Sequence, residues 1–310
     1  MRVLVIGGAG FIGRHLVGRL VAQGHVVHVP TRQSTRGRVL MVHPTVTVMQ
    51  ADVHDDATLD RLVDGCDLVV NLVGILHSRS GDPFGPDFDR AHVQLPKRIV
   101  LACRRMGTPR FIHISALGAD EKGPSGYLRS KAAGEAAIKQ AYEGATHETY
   151  TIFRPSVVFG PQDSFMNMFA GLAKYLPILP MAGAYAKMQP VYVSDVTSAM
   201  MNAANAPFAS NQTFDLAGPR VYTLGELVKL AALWSGHPRM VVNLPMSLGR
   251  LQAFAFEMLP GEPLLSRDNL ASLTVDNVAA QPMDARLGVV PTPLESVAPI
   301  YLAPTLKTYQ

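Results

Sequence analysis

Residues 2–13 read RVLVIGGAGFIG, and this stretch decides the fold. The β-branched run at 2–6 predicts a strand, and Gly7, Gly10 and Gly13 follow it at GxxGxxG spacing, before an apolar helical segment. In such a loop the first glycine permits a tight turn, the second lets a diphosphate approach the backbone, and the third packs the helix on the strand. A purely structural turn is the alternative, and the flanking strand and helix favour a dinucleotide site.

The end of the second predicted strand selects the cofactor. An NAD site usually has an Asp or Glu there, about 20 residues after the loop, for the ribose 2′-hydroxyl. Here no carboxylate follows the strand, and Arg32 can clamp a 2′-phosphate with charge-assisted hydrogen bonds. We therefore predict NADP(H), with NAD(H) as the alternative if Arg32 is a solvated side chain. Asp52 is a candidate for the adenine amino group or, alternatively, a loop cap. The other contacts predicted for the loops are Gly7, Gly10, Phe11, Ile12, Gly13 and Val53.

The first half of the chain alternates apolar, β-branched runs with amphipathic segments. The runs that predict strands are 2–6, 25–30, 46–50, 67–72, 110–114 and 150–153. The segments that predict helices are 13–22, 57–64, 88–106 and 129–142. This alternation, with nearly continuous apolar strands, is typical of a parallel sheet covered on both faces. We predict an α/β fold, a Rossmann-type doubly wound parallel sheet with its ligand at the carboxyl ends of the strands.

The pattern changes after residue 154, where prolines interrupt it. The later predicted elements are strands at 189–193 and 214–217 and helices at 195–205, 224–234 and 248–259. We predict that 1–163 and about 189–217 form the dinucleotide-binding domain. The remaining residues, about 164–188 and 218–310, are predicted to form a smaller C-terminal lobe over the cleft that contacts substrate or a partner.

The composition excludes several classes of protein. Of 310 residues, 48% are hydrophobic and 17% are charged, which provides a sizeable core and rules out a disordered chain. The net charge of +4 suits an anionic ligand or lipid surface, but no run of basic residues interleaved with aromatics indicates nucleic acid binding. Cys66 and Cys103 lack metal-ligand spacing, so we predict reduced thiols and no metal.

We predict a cytoplasmic protein that is at most peripheral on the inner membrane. The strand at 2–6 leaves no room for a signal peptide. The most apolar stretch, 165–186, contains a lysine and two prolines and is not expected to span a membrane. Residues 248–259 combine bulky apolar groups with few charges, which predicts burial in the small lobe or, alternatively, docking on a partner or a membrane interface.

Further motifs carry a family resemblance. They are NLVG at 71–74, YLRSK at 127–131, FRPSVVFGP at 153–161, RSKAAGE at 129–135, QPVYVSDV at 189–196 and PTPLE at 291–295. With the glycine loop, they make essentially the whole chain resemble the extended and atypical short-chain dehydrogenase/reductases. The last three motifs are most similar to the NADPH-binding accessory subunits of respiratory complex I and their bacterial relatives. The resemblance implies cofactor contacts by Leu72, Val73, Gly74, Pro155, Val157 and Val158.

Tyr127 and Lys131 form the candidate catalytic pair, and both are also predicted cofactor contacts. They are four residues apart and can share one helix face. A reductase of this type needs a tyrosine that exchanges a proton with the carbonyl as hydride moves, and tyrosine has a pKa near 10 in water. A cation one turn away stabilises the phenolate, so we predict that Lys131 lowers the pKa of Tyr127 and also reaches the nicotinamide ribose. The alternative is an ordinary surface Tyr and Lys.

Two supporting positions depart from the family pattern. The Ser or Thr that orients the substrate carbonyl falls on Leu117, while Ser115 lies closer to the strand. The asparagine that supports a relay water falls on His92. Ser115 is a displaced catalytic candidate and His92 a candidate to hold the water. The alternatives are a packing serine and a partly buried histidine.

These features predict an NADP(H)-binding, atypical dehydrogenase-like protein linked to respiratory complex I or quinone metabolism, with slow chemistry or none. The alternative is an active NAD(P)-dependent oxidoreductase, or a nucleotide-sugar epimerase or dehydratase, that uses Tyr127 and Lys131. A sensor of the NADP(H) ratio is a third possibility. The predicted partners are the dinucleotide and either respiratory-complex subunits or a membrane surface, with neither nucleic acid nor metal.

Overall fold

A computed structural model describes residues 1–258, 261 and 263–304. Its strands are β1 (Arg2–Ile6), β2 (Val26–Thr31), β3 (Val46–Gln50), β4 (Leu68–Asn71), β5 (Arg110–Ile114), β6 (Thr149–Pro155), β7 (Val158–Phe159), β8 (Ile178–Ala182), β9 (Lys187–Met188), β10 (Val191–Tyr192), β11 (Gln212–Leu216), β12 (Tyr222–Thr223) and β13 (Met240–Leu244).

The helices are α1 (Phe11–Ala22), α2 (Asp56–Val63), α3 (Pro86–Phe88), α4 (Leu95–Met106), α5 (Gly126–Ala141), α6 (Phe165–Tyr175), α7 (Val193–Ala203), α8 (Leu224–Trp234), α9 (Met246–Glu257), α10 (Arg267–Ser272) and α11 (Ala298–Leu302). A π-helical segment, Asp89–Gln94, joins α3 to α4. Short 3₁₀ segments cover Ser34–Val42, Pro207–Ala209, Ala285–Leu287 and Leu294–Ser296.

Seven strands form one parallel sheet in the order β11-β6-β5-β4-β1-β2-β3. The chain runs outward from β1 through β2 to β3, then returns to the other side of β1 and continues outward from β4. The direction of winding therefore reverses between β1 and β4, the position at which doubly wound folds bind ligands. The predicted Rossmann-type sheet is confirmed.

A layer of helices holds one face of this sheet. Leu4 of β1 and Phe111 of β5 pack in one buried cluster with Leu59 of α2, Ile99 of α4 and Ile138 of α5. Burying a large apolar side chain contributes roughly 1.5–3 kcal/mol. This cluster therefore holds the helices that carry the candidate site firmly against the strands.

The helix predicted at 88–106 is interrupted by the π-helical segment, and Pro96 supplies the reason. Proline has no N–H to donate to the carbonyl of His92, and its ring crowds that oxygen. Gly134 of α5 approaches the same oxygen so closely that a Cβ there would lie 2.0 Å from His92 O. The glycine in the RSKAAGE motif thus permits close packing between two helices of the candidate site.

The contacts within the described chain group it into two compact units. The first unit comprises 1–155, 194–216 and 283–289, and the second comprises 156–193, 217–282 and 290–304. The predicted division assigns 156–163, 189–193 and 217 to the first unit and 283–289 to the second, and its roles for the two parts stay predictions. Asn202 Nδ2 of α7 donates to Leu287 O at 2.8 Å, which ties the last segment to the first unit.

The second unit has its own apolar core, in which Phe159, Met166, Leu227 and Leu294 belong to one buried cluster. Its sheets each have two strands, paired as β7–β10, β8–β13 and β9–β12. The predicted helix 224–234 is observed as α8. The predicted helix 248–259 is observed as α9, and Leu259 lies outside the described residues. The strand predicted at 189–193 is observed as β10 but is shorter, because it covers only Val191–Tyr192 and α7 begins at Val193.

The apolar stretch at 165–186 forms α6 and β8 rather than one long helix. Across residues 1–258, 261 and 263–304, no helix is both long and apolar enough to cross a membrane. Within those same residues, no group of three or more His, Cys, Asp or Glu side chains is arranged to hold a metal ion. Cys66 and Cys103 are buried free thiols, and burial raises the pKa of Cys66 to about 11.

Candidate functional site

The glycine loop connects β1 to α1, and a Cβ added at its glycines would meet neighbouring atoms closely. Gly7 lies at φ +86°, in the left-handed region that favours glycine. A Cβ at Gly13 would lie 2.5 Å from Gly7 O, and a Cβ at Gly10 would lie 3.2 Å from the same oxygen. Helix α1 begins at Phe11 with Gly10 as its N-cap, and no side chain caps it. The first N–H groups of α1 are therefore oriented as in sites that bind a diphosphate.

The end of β4 lies against this loop. Leu72 N–H donates to Ile6 O at 2.8 Å, and a Cβ on Gly7 would lie 3.0 Å from the Leu72 carbonyl carbon. Asn71 is fully buried, and its Oδ1 accepts the N–H of Val73 at 3.2 Å. Two of the residues implied by the family resemblance, Leu72 and Val73, are thus held beside the glycines by backbone contacts.

The ends of β2 and β3 carry the residues predicted for the adenosine half of the cofactor. Ala51 N–H donates to Thr31 O at 3.1 Å, so the two strand ends are adjacent. Arg32 is exposed directly after β2. Asp52 Oδ1 accepts the N–H of His54 at 2.9 Å, which is the loop-capping arrangement. The capping role of Asp52 is therefore observed, and its contact with adenine stays a prediction.

Helix α5 presents Lys131 to the end of β5. The helix begins earlier than predicted, with Ser125 as its N-cap, so Tyr127 and Lys131 are both helical. Lys131 is 3% exposed and its Nζ donates to Ile114 O at 3.0 Å. Desolvation by burial lowers the pKa of Lys131 to about 8. A Cβ on Gly74 would lie 3.8 Å from this Nζ, so the segment that follows β4 lies beside the ammonium group.

Tyr127 is partly buried among aromatic rings. Its ring makes edge-on contacts with Phe88, at a centroid distance of 6.0 Å, and with His92, at 5.6 Å. Desolvation raises the pKa of Tyr127 to about 12. The net shift is therefore upward, opposite in direction to the predicted lowering by Lys131, because desolvation is its cause. The catalytic pairing of the two residues stays a prediction. At neutral pH the Tyr127 hydroxyl is protonated.

Ser115 and Leu117 follow β5 in buried positions. Ser115 N–H donates to Phe153 O at 2.7 Å, and its Oγ is buried with no hydrogen-bond partner among the described residues. Leu117 is 5% exposed and its N–H donates to Pro155 O at 2.9 Å. The position expected to carry the catalytic hydroxyl is thus a packed aliphatic side chain, and the nearby hydroxyl of Ser115 lies at the end of a buried strand.

Both ring nitrogens of His92 are used within the protein. Ile75 N–H donates to Nε2 at 3.1 Å, so Nδ1 carries the proton and donates to Ser130 Oγ at 2.8 Å. The Ser130 hydroxyl in turn donates to Tyr127 O at 2.8 Å. Burial, with the charge of Lys131, lowers the pKa of His92 to about 2, so the ring is neutral. Of the two interpretations of His92, the geometry supports the buried histidine, because both ring nitrogens have partners within the protein.

A partly buried ion pair, formed by two residues outside the predicted site, anchors α5 to β6. Glu135 is 2% exposed and accepts two hydrogen bonds from Arg154, at 2.7 Å and 2.6 Å. Glu135 lies one helical turn after Lys131 and ends the RSKAAGE motif, which was cited only for the family resemblance. A glutamate inside an apolar helical motif, with an arginine ending a later strand, is the sequence signal that predicts such a pair.

Val157 and Val158 belong to the second unit. Val157 O accepts the N–H of Val191 at 2.9 Å, and Val158 is part of β7, which pairs with β10. Pro155 is the last residue of β6 in the first unit. The cofactor contacts of these three residues stay predictions.

Comparison with known proteins agrees with this geometry. The model of the NAD dependent epimerase/dehydratase family matches residues 3–225. The chain is 32% identical over 298 residues to the mitochondrial NADH dehydrogenase [ubiquinone] 1 alpha subcomplex subunit 9 of Mus musculus, covering 94% of this chain and 77% of that protein. The resemblance based on the sequence motifs is thereby confirmed.

A second relative and a solved structure extend the comparison. The ceramide reductase of Caulobacter vibrioides is 28% identical over 248 residues, covering 78% of this chain and 73% of the reductase. The structure of UDP-glucuronic acid 4-epimerase from Bacillus cereus, in complex with UDP-glucuronic acid and NAD, is 19% identical. It superposes with a TM-score of 0.70 and covers 97% of this chain and 99% of the epimerase. At this level of identity the epimerase supports the fold alone.

Proposed function

Because this chain belongs to the NAD dependent epimerase/dehydratase family, we propose that it holds NADP(H) as a binding subunit of a quinone-linked respiratory assembly. The observation that carries the cofactor proposal is the glycine loop, where a Cβ at Gly13 would lie 2.5 Å from a backbone oxygen. Such a loop lets a diphosphate approach backbone N–H groups that side chains would otherwise cover. The dinucleotide supplies hydride chemistry when bound. The proposed contacts within the first unit are Gly7, Gly10, Phe11, Ile12, Gly13, Arg32, Asp52, Val53, Leu72, Val73, Gly74, Tyr127, Lys131 and Pro155.

Two features of the strand ends support NADP(H) over NAD(H). Strand β2 ends at Thr31 without a carboxylate for the ribose 2′-hydroxyl. Arg32 is exposed and, among the side chains that the structure describes, forms no ion pair. Its guanidinium group is therefore available for a 2′-phosphate.

Binding with little turnover is supported by the groups that surround Tyr127. Leu117 offers no hydroxyl to orient a carbonyl, and His92 has no nitrogen left for a relay water. The mouse protein that resembles this chain is named as a subunit of NADH dehydrogenase. We therefore assign the present chain a structural or reporting role in a related assembly.

The cofactor proposal is tested by calorimetric titration of the purified chain with NADPH and with NADH. Arg32→Ala should weaken NADPH binding about tenfold to a hundredfold, the loss expected for charge-assisted hydrogen bonds, and leave NADH binding unchanged. Arg38→Ala is the matched control, because Arg38 is also exposed in the segment after β2. An equal loss for both cofactors, or a preference of the wild type for NADH, would contradict the assignment.

The partner proposal needs a separate test. We propose that the chain associates with respiratory-complex subunits on the cytoplasmic side of the inner membrane. Native gel electrophoresis of membranes from the source cells should place the tagged chain in a band that oxidises NADH. Migration at the mass of the isolated chain, with no such activity, would contradict the association and leave cofactor binding unaffected.

A second candidate function is reduction of a carbonyl substrate. It is favoured by the placement of Tyr127 and Lys131 four residues apart on α5, where the tyrosine hydroxyl carries a proton at neutral pH. Lys131 would hold the ribose and Ser115 would act as the displaced helper. One relative is named as a reductase of ceramide, so lipid carbonyls are the first substrates to assay. Tyr127→Phe should abolish NADPH oxidation, and the surface control Tyr175→Phe should retain it. If both variants oxidise NADPH equally well, this candidate is eliminated.

A further inference from the structure

Helix α9 of the second unit turns its apolar side outward. Gly249 and Ala253 are its buried residues, and a Cβ on Gly249 would lie 2.2 Å from the Cβ of Ala182. The opposite side carries Leu251, which is 65% exposed, and Phe254, which is 47% exposed. A surface helix normally presents polar residues to solvent and apolar residues to the core. The reversed arrangement indicates a surface that another apolar body covers.

The apolar surface continues onto the sheet on which α9 packs. In the parallel pair β8–β13, Ile178 is level with Met240 and Pro180 is level with Val242. Side chains two residues apart on a strand share a face, so Ile178 and Pro180 lie on the same face as Ala182, which contacts α9. Ile178 is 50% exposed and Met240 is 69% exposed. We call α9 and this face of β8–β13 the outer apolar surface.

Basic side chains outnumber acidic ones around this surface, and the acid within it, Glu257 at the end of α9, is paired with Arg267 at 2.8 Å. Residues 164–194, which contain β8, include two lysines and no Asp or Glu. Residues 227–256, which contain β13 and almost all of α9, include Lys229, Arg239 and Arg250 and no Asp or Glu. Arg250 is exposed on α9 itself. At one end of the sheet, Arg239 Nε donates to Ala173 O at 2.8 Å, which holds its guanidinium group near Lys174.

We propose that the outer apolar surface docks on an anionic lipid bilayer, with α9 lying in the interface. A helix with exposed Leu and Phe and a basic margin inserts its apolar side at the boundary between headgroups and acyl chains. Lysines and arginines near the membrane add attraction to anionic headgroups. A second copy of the chain fits less well, because a symmetric dimer through this surface would bring like charges together.

The test is co-sedimentation of the full chain with vesicles of phosphatidylcholine alone and of phosphatidylcholine containing phosphatidylglycerol. The wild type should bind the anionic vesicles and only weakly the neutral ones, with affinity falling as salt is raised. Leu251→Glu should reduce binding at least about tenfold and Arg250→Gln about fivefold. Val290→Glu is the matched control, because Val290 is 87% exposed and lies outside residues 164–194 and 227–256.

A direct probe places α9 at the lipid. The two native cysteines are buried, so an environment-sensitive dye attached to Leu251→Cys reports on that position alone. Its emission should shift to the blue on anionic vesicles, and the same dye on Val290→Cys should not respond. The proposal is overturned if Leu251→Glu binds vesicles like the wild type. It is equally overturned if the wild type is a dimer that ignores vesicles and Leu251→Glu is a monomer. NADPH affinity, measured on the same variants, tests the cofactor proposal separately, since vesicle binding does not require the dinucleotide.

Discussion

Replacing Lys131 by methionine is expected to make the protein more stable at neutral pH. Lys131 is 3% exposed, and burial lowers its pKa to about 8 from 10.5 in water. An unfolded chain keeps this lysine fully charged below pH 8, whereas the folded chain holds the ammonium group away from solvent. Folding therefore costs the free energy of removing water from this ammonium group. Methionine removes that desolvation cost and nearly preserves the side-chain volume.

The size of the effect follows from the two pKa values. The difference between 10.5 and about 8 corresponds to about 3 kcal/mol of unfolding free energy, at 1.36 kcal/mol for each pH unit. Methionine also loses the hydrogen bond from Nζ to Ile114 O, worth about 1 kcal/mol. The net gain of Lys131→Met is about 2 kcal/mol. A buried lysine that costs this much stability is typical of a functional position.

The pH dependence gives the sharper check. Because the pKa of Lys131 is lower in the folded chain, the cost is complete below pH 8 and disappears as pH rises from 8 to 10.5, where only the unfolded chain binds the proton. Urea unfolding at pH 7 and pH 10 should show the advantage of Lys131→Met shrinking at the higher pH. Lys97→Met, at an exposed lysine on α4, should show no such change. A variant less stable than the wild type at pH 7, with a difference constant to pH 10, would refute the reasoning.

Two further substitutions test the loop and the ion pair. Gly13→Ala should weaken dinucleotide binding at least about tenfold in the calorimetric titration, because its Cβ would lie 2.5 Å from a backbone oxygen. Gly18→Ala on the same helix is the control and should bind normally, because a Cβ there meets nothing within 4 Å. Glu135→Gln should lower the unfolding free energy by about 2–3 kcal/mol, below the full value for a buried pair because Arg154 is partly exposed. Urea unfolding measures this loss, and a change under 0.5 kcal/mol would show that the pair contributes little.

Short-range patterns account for the part of the fold that the sequence predicted. Strand β1, the glycine loop and α1 occupy consecutive residues, and backbone geometry there depends on which positions lack a Cβ. The alternation of strand and helix likewise appears as a change of hydrophobic period along the chain. These features depend on neighbouring residues and not on distant parts of the chain. The sequence therefore predicted both the sheet and the glycine loop.

The state of the candidate site depended on residues far apart in the chain. Lys131 finds its acceptor 17 residues away at Ile114, and His92 finds Ser130 at a separation of 38. The asparagine-to-histidine departure suggested a water holder, but the tertiary contacts occupy both nitrogens of the ring.

The sequence by itself determined the parallel sheet, the glycine loop and the four-residue spacing of Tyr127 and Lys131, because these follow from local spacing and periodicity. The tertiary structure alone decided the direction in which the pKa of each residue is shifted, since a pKa depends on the water excluded by every packed neighbour. The tertiary structure also decided that the apolar side of α9 faces outward. The sequence pattern of an apolar helix is the same whether its bulky side chains pack in a core or contact a membrane.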